Sequence, residues 1–349
     1  MVADVNKRPT IIDVAKQAGV SKSTVARVMS GGEHVSSKVV DLVEAAAKEI
    51  GYQKNNLAVS MRSGRSGLIG IVVPDISNPF WAEVARGAQD AAISAQSSLL
   101  IFSSDWQAER EQKHLQALIN TRVDGYILNK ISDAGGQDDL GELGAPSLLL
   151  GTTAELYPDK SSVGSDINQG VQVALDYLTD RGHAMPKIIL GTERRLARAK
   201  FVTAVNQYYI DRDIDPTRIE AEDGAYTVEG GKAAMARILE RHSSGHITIF
   251  AANDLMALGA ILEARSAGLN CPNDVSVIGF DGIPAGEFCD PPLTTVAKPA
   301  REIGIQSLRA LQRLIEGEDD VSKQRLACEL IERDSVLDRS SKLSLAQTG

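Results

Sequence analysis

Lys22, Ser23 and Arg27 carry the most directed chemistry in this chain. A lysine or arginine donates to the O6 and N7 acceptors of guanine, and a serine hydroxyl pairs with any base edge. To enter one groove of a duplex together, the three must share a helix face. At about 100° per residue they do. Lys22, Ser23, Ala26 and Arg27 fall on one side, and Thr24, Val25, Val28 and Met29 fall on the other and pack inward.

The flanking residues supply the elements that hold this face. Ser21 is an N-cap, and Val20 before it can staple onto Val25. Upstream, Thr10 and Asp13 form a capping box for a first helix. Val14, Ala15 and Ala18 give that helix its apolar side, and Gly19 supplies the turn. Two short helices around one Gly-containing turn place the first turn of the second helix where helix-turn-helix proteins contact base edges. An ordinary helical hairpin with a solvated cationic face is the competing reading.

Charge distribution separates the two readings. The 349-residue chain has net charge −9, which evenly spread would argue against nucleic acid. Residues 1–65 carry 10 Lys+Arg against 6 Asp+Glu, whereas the remaining 284 carry 27 against 40. A basic head on an acidic body binds a polyanion locally while the body is repelled. No run approaches the ~18 apolar residues of a membrane span, and Lys7, Arg8, Asp13 and Lys16 interrupt any signal-peptide core. Cys271, Cys289 and Cys328 are too few and too scattered for a disulfide framework or a zinc site. The expectation is a cytoplasmic protein without cofactor or metal.

A third helix is expected from about 37 to 50, with Val39, Leu42, Val43, Ala46 and Ile50 as its stripe and Gly51 as C-cap. The segment 55–61 is too short for a stable isolated helix, so it reads as a linker that orders only when held. From Leu68 the texture changes to apolar strands alternating with amphipathic helices. Strands are expected at 68–73, 99–102, 125–129, 147–150, 187–190, 246–251 and 275–280. Helices are expected at 80–94, 109–120, 168–179, 195–209, 228–240 and 255–267. That alternation implies parallel sheets with right-handed crossovers. About 270 residues is large for one such sheet, so the fold class is α/β: an all-α helix-turn-helix headpiece before a two-lobed, doubly wound parallel-sheet core with a cleft. The expected domains are 1–53 (headpiece), 54–66 (hinge helix and linker), 67–338 (effector-binding and dimerisation core) and 339–349 (polar tail).

The order of parts resembles the lactose-repressor (LacI-type) family of bacterial transcription regulators from Thr10 to about Ser335. TIIDVAKQAGVSKSTVARV, HVSSKVVDLVEAAAKEIGY and NNLAVSMRSGRSGLIGIVVPDISNPF carry the match at the N-terminus. VDGYIL, AANDLMALGA, VSVIGFDGIP, PPLTTV and CELIERDS carry it later. The resemblance implies a regulator, not an enzyme: a repressor of carbohydrate or related catabolic genes that binds a palindromic DNA operator as a homodimer. Its control is expected from a small-molecule effector, a sugar or sugar derivative, in a core similar to periplasmic sugar-binding proteins. The expected DNA contacts are Thr10, Ser21, Lys22, Ser23, Thr24, Arg27 and His34. Asn55, Ala58 and Met61 fall at the hinge positions that meet the minor groove, where Met61 stands for a more usual Leu as an apolar wedge.

For the effector, the resemblance assigns Phe80 and Trp81 as aromatics against a ligand ring, and Asn129, Asn253 and Asp281 as polar contacts. Gly151 and Ala197 stand where many sugar-responsive members have Asp and Arg, and Lys200 replaces a Gly. Nearby Arg194, Arg195, Arg198 and Lys130 leave two readings open. They form a solvated helix face, or Arg195 and Arg198 clamp an anionic effector such as a sugar acid or sugar phosphate. His242 and His246 read as a surface loop and not a metal pair, because Ser243, Ser244 and Gly245 break any helix between them. Asp254 reads as a helix cap or ligand contact, since no nucleophile or base accompanies it. A binding-protein-like sugar receptor, or an enzyme of another kind, is the alternative function. It lacks both a secretion signal and a catalytic constellation.

Overall fold

The computed structural model describes residues 9–29, 35–52, 65–131, 140–141, 143–151, 155–192, 196–242, 244–318 and 322–340. The chain forms two compact units, 1–66 and 67–349.

The first unit contains α1 (Ile11–Ala18), α2 (Lys22–Met29) and α3 (Ser37–Glu49). The Thr10 backbone N–H and hydroxyl both donate to Asp13 Oδ2, at 2.8 and 2.7 Å, which fixes the start of α1. Its end is a Gly-dependent stop: Gly19 has φ +62°, and Val20 N–H reaches back to the Ala15 carbonyl at 3.1 Å. Val14, Ala18, Val25, Val28, Val43, Ala46 and Ala47 make the small core, with Val39 and Ile50 packed against it. Leu42, expected in the α3 stripe, is 48% exposed. The buried face runs through 43, 46, 47 and 50, and Leu42 lies beside it.

The second unit is two lobes built on two six-stranded sheets among the described residues. Lobe one contains β1 (Leu68–Val73), α4 (Pro79–Ser94), β2 (Ser98–Ser103), α5 (Ala108–Thr121), β3 (Gly125–Leu128), β4 (Ser147–Leu150) and β5 (Ser162–Ser165). Lobe two contains α6 (Ile167–Asp180), β6 (Lys187–Leu190), α7 (Leu196–Ile210), β7 (Ala221–Asp223), α8 (Val228–Arg241), β8 (Ile247–Ala251), α9 (Asp254–Ser266), β9 (Val275–Asp281), α10 (Ala285–Phe288) and β10 (Thr294–Ala297). The chain then returns to lobe one as α11 (Ala300–Ile315) and β11 (Lys323–Leu326), and ends in lobe two with β12 (Glu329–Ile331). The sheet orders are β11-β5-β4-β3-β1-β2 and β12-β10-β9-β8-β6-β7; among the described residues only the β10–β12 pair is antiparallel.

The central strands are apolar throughout because both faces are covered. Ile69, Ile71 and Val73 of β1 pack with Val84 and Ala88 of α4 and Ile303 and Leu311 of α11. Val72 faces the other way, onto Leu115 and Leu118 of α5. Paired glycines allow α4 and α11 to touch: a Cβ on Gly87 would lie 2.0 Å from the Arg301 carbonyl oxygen, and one on Gly304 2.0 Å from that of Val84. Lobe two repeats the device between α8 and α9 with Gly231 and Gly259.

Three segments join the lobes: β5 to α6, β10 to α11, and β11 to β12. A site between the lobes is therefore positioned by both.

Candidate functional site

Two places carry chemistry. In the first, α2 buries Val25 and Val28 and leaves Lys22, Ser23 and Arg27 exposed. Ser21 caps the helix, its Oγ accepting the Thr24 N–H at 3.1 Å. The Ser23 and Thr24 hydroxyls each lie 2.8 Å from Ser21 Oγ. Half-buried Thr24 thus supports the cap, while Thr10 is committed to Asp13. The first turn of α2 has no acidic side chain, so the positive end of the helix is not neutralised from within and reinforces the charge of Lys22. His34, Asn55, Ala58 and Met61 lie outside the described residues.

The second place is a cleft between the lobes, lined mostly by aromatic rings with a few polar groups, as small-molecule sites are. Phe80, Trp81, Asn253 and Asp281, four of the expected effector residues, line it together with Asn78, Trp106, Phe201, Tyr226, Phe280 and Lys298. Six of the chain's few aromatic rings, including both tryptophans, meet here. Trp106, just after β2 in lobe one, stacks on Tyr226, just after β7 in lobe two, with centroids 4.9 Å apart and planes 11° from parallel. Both residues have left-handed backbone, φ +58° and +61°. The two turns are strained counterparts that present their rings to each other. Tyr226 also rests on Gly191, where a Cβ would lie 1.8 Å from the ring.

At the polar end, the Asn78 side chain accepts the Phe80 N–H at 3.0 Å and donates to Asp281 Oδ2 at 3.3 Å, tying the two lobes. Lys298 Nζ lies 2.5 Å from Asp281 Oδ1. The contact is an ion pair without hydrogen-bond alignment. Burial pushes the Asp281 carboxyl up, and the charge and close approach of the Lys298 ammonium, with the Asn78 hydrogen bond, pull it back part of the way. Asn253 caps α9, accepting the Met256 N–H at 2.9 Å, and donates to the Tyr226 carbonyl at 3.1 Å.

Asp254 does not line the cleft. Its Oδ2 accepts the Gly282 and Ile283 N–H groups at 2.8 and 2.7 Å, and its Oδ1 accepts the Thr295 hydroxyl at 2.6 Å. Burial, then the neighbouring Asp281 charge, raises its pKa to about 7 despite those three donors. Asp254 clamps the loop that carries Ile283 into the core of lobe one.

The expected cation cluster takes a different form. Arg194 and Arg195 lie outside the described residues. Arg198 pairs with Asp223 and donates to the Gly191 carbonyl at 2.7 Å. Lys200 pairs with Glu155 at 2.8 Å, and buried Lys130 lies 3.4 Å from buried Glu111. Each described cation already faces a carboxylate, so no open clamp for an anion forms from them. Asn129 donates to the Leu150 carbonyl at 3.2 Å, and neither it nor Arg198 lines the cleft. His242 bonds Glu220, and His246 bonds the Asn273 carbonyl and Ser276, so the two histidines have separate partners. Among the described residues no group of three or more His, Cys, Asp or Glu could hold a metal.

Comparison with known proteins decides between the readings. Residues 10–55 match the bacterial regulatory proteins, lacI family, and residues 175–336 match the periplasmic binding protein-like domain. The HTH-type transcriptional repressor CytR of Escherichia coli (strain K12) is 32% identical over 334 residues, 94% of this chain and 96% of that protein. The chain belongs to the lacI family of bacterial regulatory proteins. Among solved structures, a lac repressor dimer bound to operator and the anti-inducer ONPF superposes with TM-score 0.82 at 26% identity, covering 95% of this chain and 100% of that one. A complex of the transcriptional regulator CelR with cellobiose has TM-score 0.69 at 28% identity, with 94% and 100% coverage. In this lacI-family chain the helix-turn-helix and the two-lobed core are therefore parts of a DNA-binding transcription regulator and not of an enzyme. No helix among its described residues is long and apolar enough to cross a membrane.

Proposed function

We propose that this chain is a cytoplasmic repressor of carbohydrate or related catabolic genes. It binds a near-palindromic operator as a dimer and is controlled by a small ligand in the inter-lobe cleft. The observation that carries this reading is the exposed Lys22, Ser23 and Arg27 face on a capped, acid-free helix start. A two-fold dimer offers two such helices to two half-sites, and the lac repressor relative is bound to its operator as a dimer. Lys22 and Ser23 read base edges, Arg27 reaches a base or a phosphate, and Thr10, Ser21, Thr24 and His34 stand at the edge of that contact. Asn55, Ala58 and Met61 meet the minor groove.

The cleft is the place for the effector. The CelR relative holds cellobiose, and aromatic walls with a few polar groups suit a ring compound. Because three segments join the lobes, a ligand that favours one closure of the cleft shifts the equilibrium of the whole core. Coupling of this kind is typically about 1–3 kcal/mol, or ~5–150-fold in affinity.

Mobility shift on the natural operator tests the reading. Lys22→Ala should relax preference at one base position in each half-site, and Arg27→Ala should weaken binding. Wild-type affinity should fall steeply with salt as phosphates release counterions. Operator binding unchanged in both variants, or independent of salt, would remove the assignment.

A further inference from the structure

The polar end of the cleft is already filled by part of the chain. Lys298 Nζ sits 2.5 Å from Asp281 Oδ1 and 3.7 Å above the Phe80 ring centroid, with the Phe280 centroid 5.7 Å away. Phe80, Phe280 and Asp281 are each at most 5% exposed, so these walls are desolvated and packed. A carboxylate facing aromatic rings is the chemistry that holds an alkylammonium group. The walls are also preset: Asn78 fixes the second oxygen of Asp281, and the Phe80 N–H fixes Asn78. Lys298 itself lies between β10 and α11, on one of the three segments that join the lobes. The ammonium is thus delivered by a covalent tether, and a free cation would have to outcompete an intramolecular one.

An anionic ligand finds no better place. The Lys298 ammonium faces Asp281, with Asp254 close enough behind for the two carboxylates to repel. No surplus positive charge remains among the described residues lining the cleft.

We infer that Lys298 is a specificity-determining residue, the occupant of an aromatic–carboxylate cage that would otherwise accept a ligand ammonium. The wild-type cleft therefore takes effectors that are uncharged at this end and bars cationic ones. This deepens the reading of the cleft as the effector site and rests on it.

Lys298→Ala removes three methylenes and the ammonium, the fragment that n-propylammonium supplies. The full chain and this variant are titrated with n-propylammonium chloride and, separately, with n-propanol. Fluorescence of Trp81 and Trp106, the chain's two tryptophans and both in the cleft, is followed together with the thermal midpoint. The variant should show a saturable change and a raised midpoint with n-propylammonium, half-saturating at about 1–10 mM. Wild type, Lys298→Arg and the double variant Lys298→Ala/Asp281→Asn should not respond, and n-propanol should leave all four unchanged. Equal responses in wild type, equal responses to n-propanol, or no response by a folded Lys298→Ala chain would overturn the inference. If Lys298→Ala fails to fold in buffer, rescue by n-propylammonium but not by n-propanol supports the cage, and rescue by neither overturns it. Operator affinity measured in the same samples separates the two claims. Filling of the cage without any change in DNA binding keeps the cage and removes the effector reading.

Discussion

His183 should make the stability of lobe two depend on pH in a defined window. The ring is 8% exposed, and its Nε2 lies 2.7 Å from the Leu337 carbonyl, which can only accept. Nε2 therefore carries the proton, and Nδ1 accepts the Thr248 hydroxyl at 2.9 Å. A second proton on Nδ1 would force the Thr248 hydroxyl to turn and accept, and it would face His246, whose ring lies 5.4 Å away, as well as Arg181 and Arg339; Asp338 offsets these only in part. Burial first, then these cations, lowers the pKa from 6.5 to about 4. The folded pKa is depressed, so below 6.5 the unfolded chain takes up a proton that the folded chain refuses until about 4. The stabilisation is complete above 6.5 and is lost as pH falls toward 4. At 1.36 kcal/mol per unit the loss is about 3 kcal/mol. Asp254, with its raised pKa, titrates in the opposite sense over part of this range, so only a difference between chains isolates His183. Wild type and His183→Gln, which keeps a donor for Leu337, should be unfolded in urea at about pH 7 and about pH 4.5. At about pH 7 wild type should be more stable by about 1–3 kcal/mol, because the variant strands a buried partner. By about pH 4.5 that advantage should vanish or reverse. A gap that does not change with pH would refute the reasoning.

Other substitutions probe the packing and the site. Gly304→Ala should cost about 3 kcal/mol, because its Cβ meets the Val84 backbone and not a movable side chain; thermal unfolding of the full chain measures it. Ser21→Ala removes the α2 cap and should destabilise the first unit by about 1 kcal/mol, read as a lower midpoint in circular dichroism. Tyr226→Ala breaks the stack with Trp106, worth about 0.5–1.5 kcal/mol beyond buried area. It should also diminish the near-ultraviolet dichroism of the indole.

Much of this architecture was legible because its strands are apolar and its helices periodic. The 68–73, 147–150 and 187–190 strands stand where their residues announce them. Helix α11 is not among the expected helices although Ile303, Leu308, Leu311 and Leu314 form a helical stripe; Gly304 and Ser307 share its buried face, where the glycine lets α4 approach. The β5 strand, SVGS, is central yet small and polar, and nothing in its composition marks a sheet interior. In the cleft, Phe80, Trp81, Asn253 and Asp281 were identified through resemblance. Trp106 and Tyr226 were not, because each sits alone in a turn; an aromatic just beyond a strand in each lobe was the available signal. Lys298 had no local mark, since it lies just past β10 and its partner Asp281 is at the end of β9. Arg198 and Lys200 leave two readings open in the sequence because their carboxylates, Asp223 and Glu155, are remote along the chain.

The interleaving of the lobes bears on how the chain is made. Lobe one is not finished when its first five strands exist, because α11 covers one face of the sheet and β11 forms its edge. Those elements leave the ribosome only after all of lobe two up to β10. At about 5–20 residues per second, the nascent lobe waits on the order of 10–30 s with one apolar sheet face covered only by α4. Through that interval it is a natural client for a chaperone, and a messenger truncated before codon 300 would yield two incomplete lobes and no usable half.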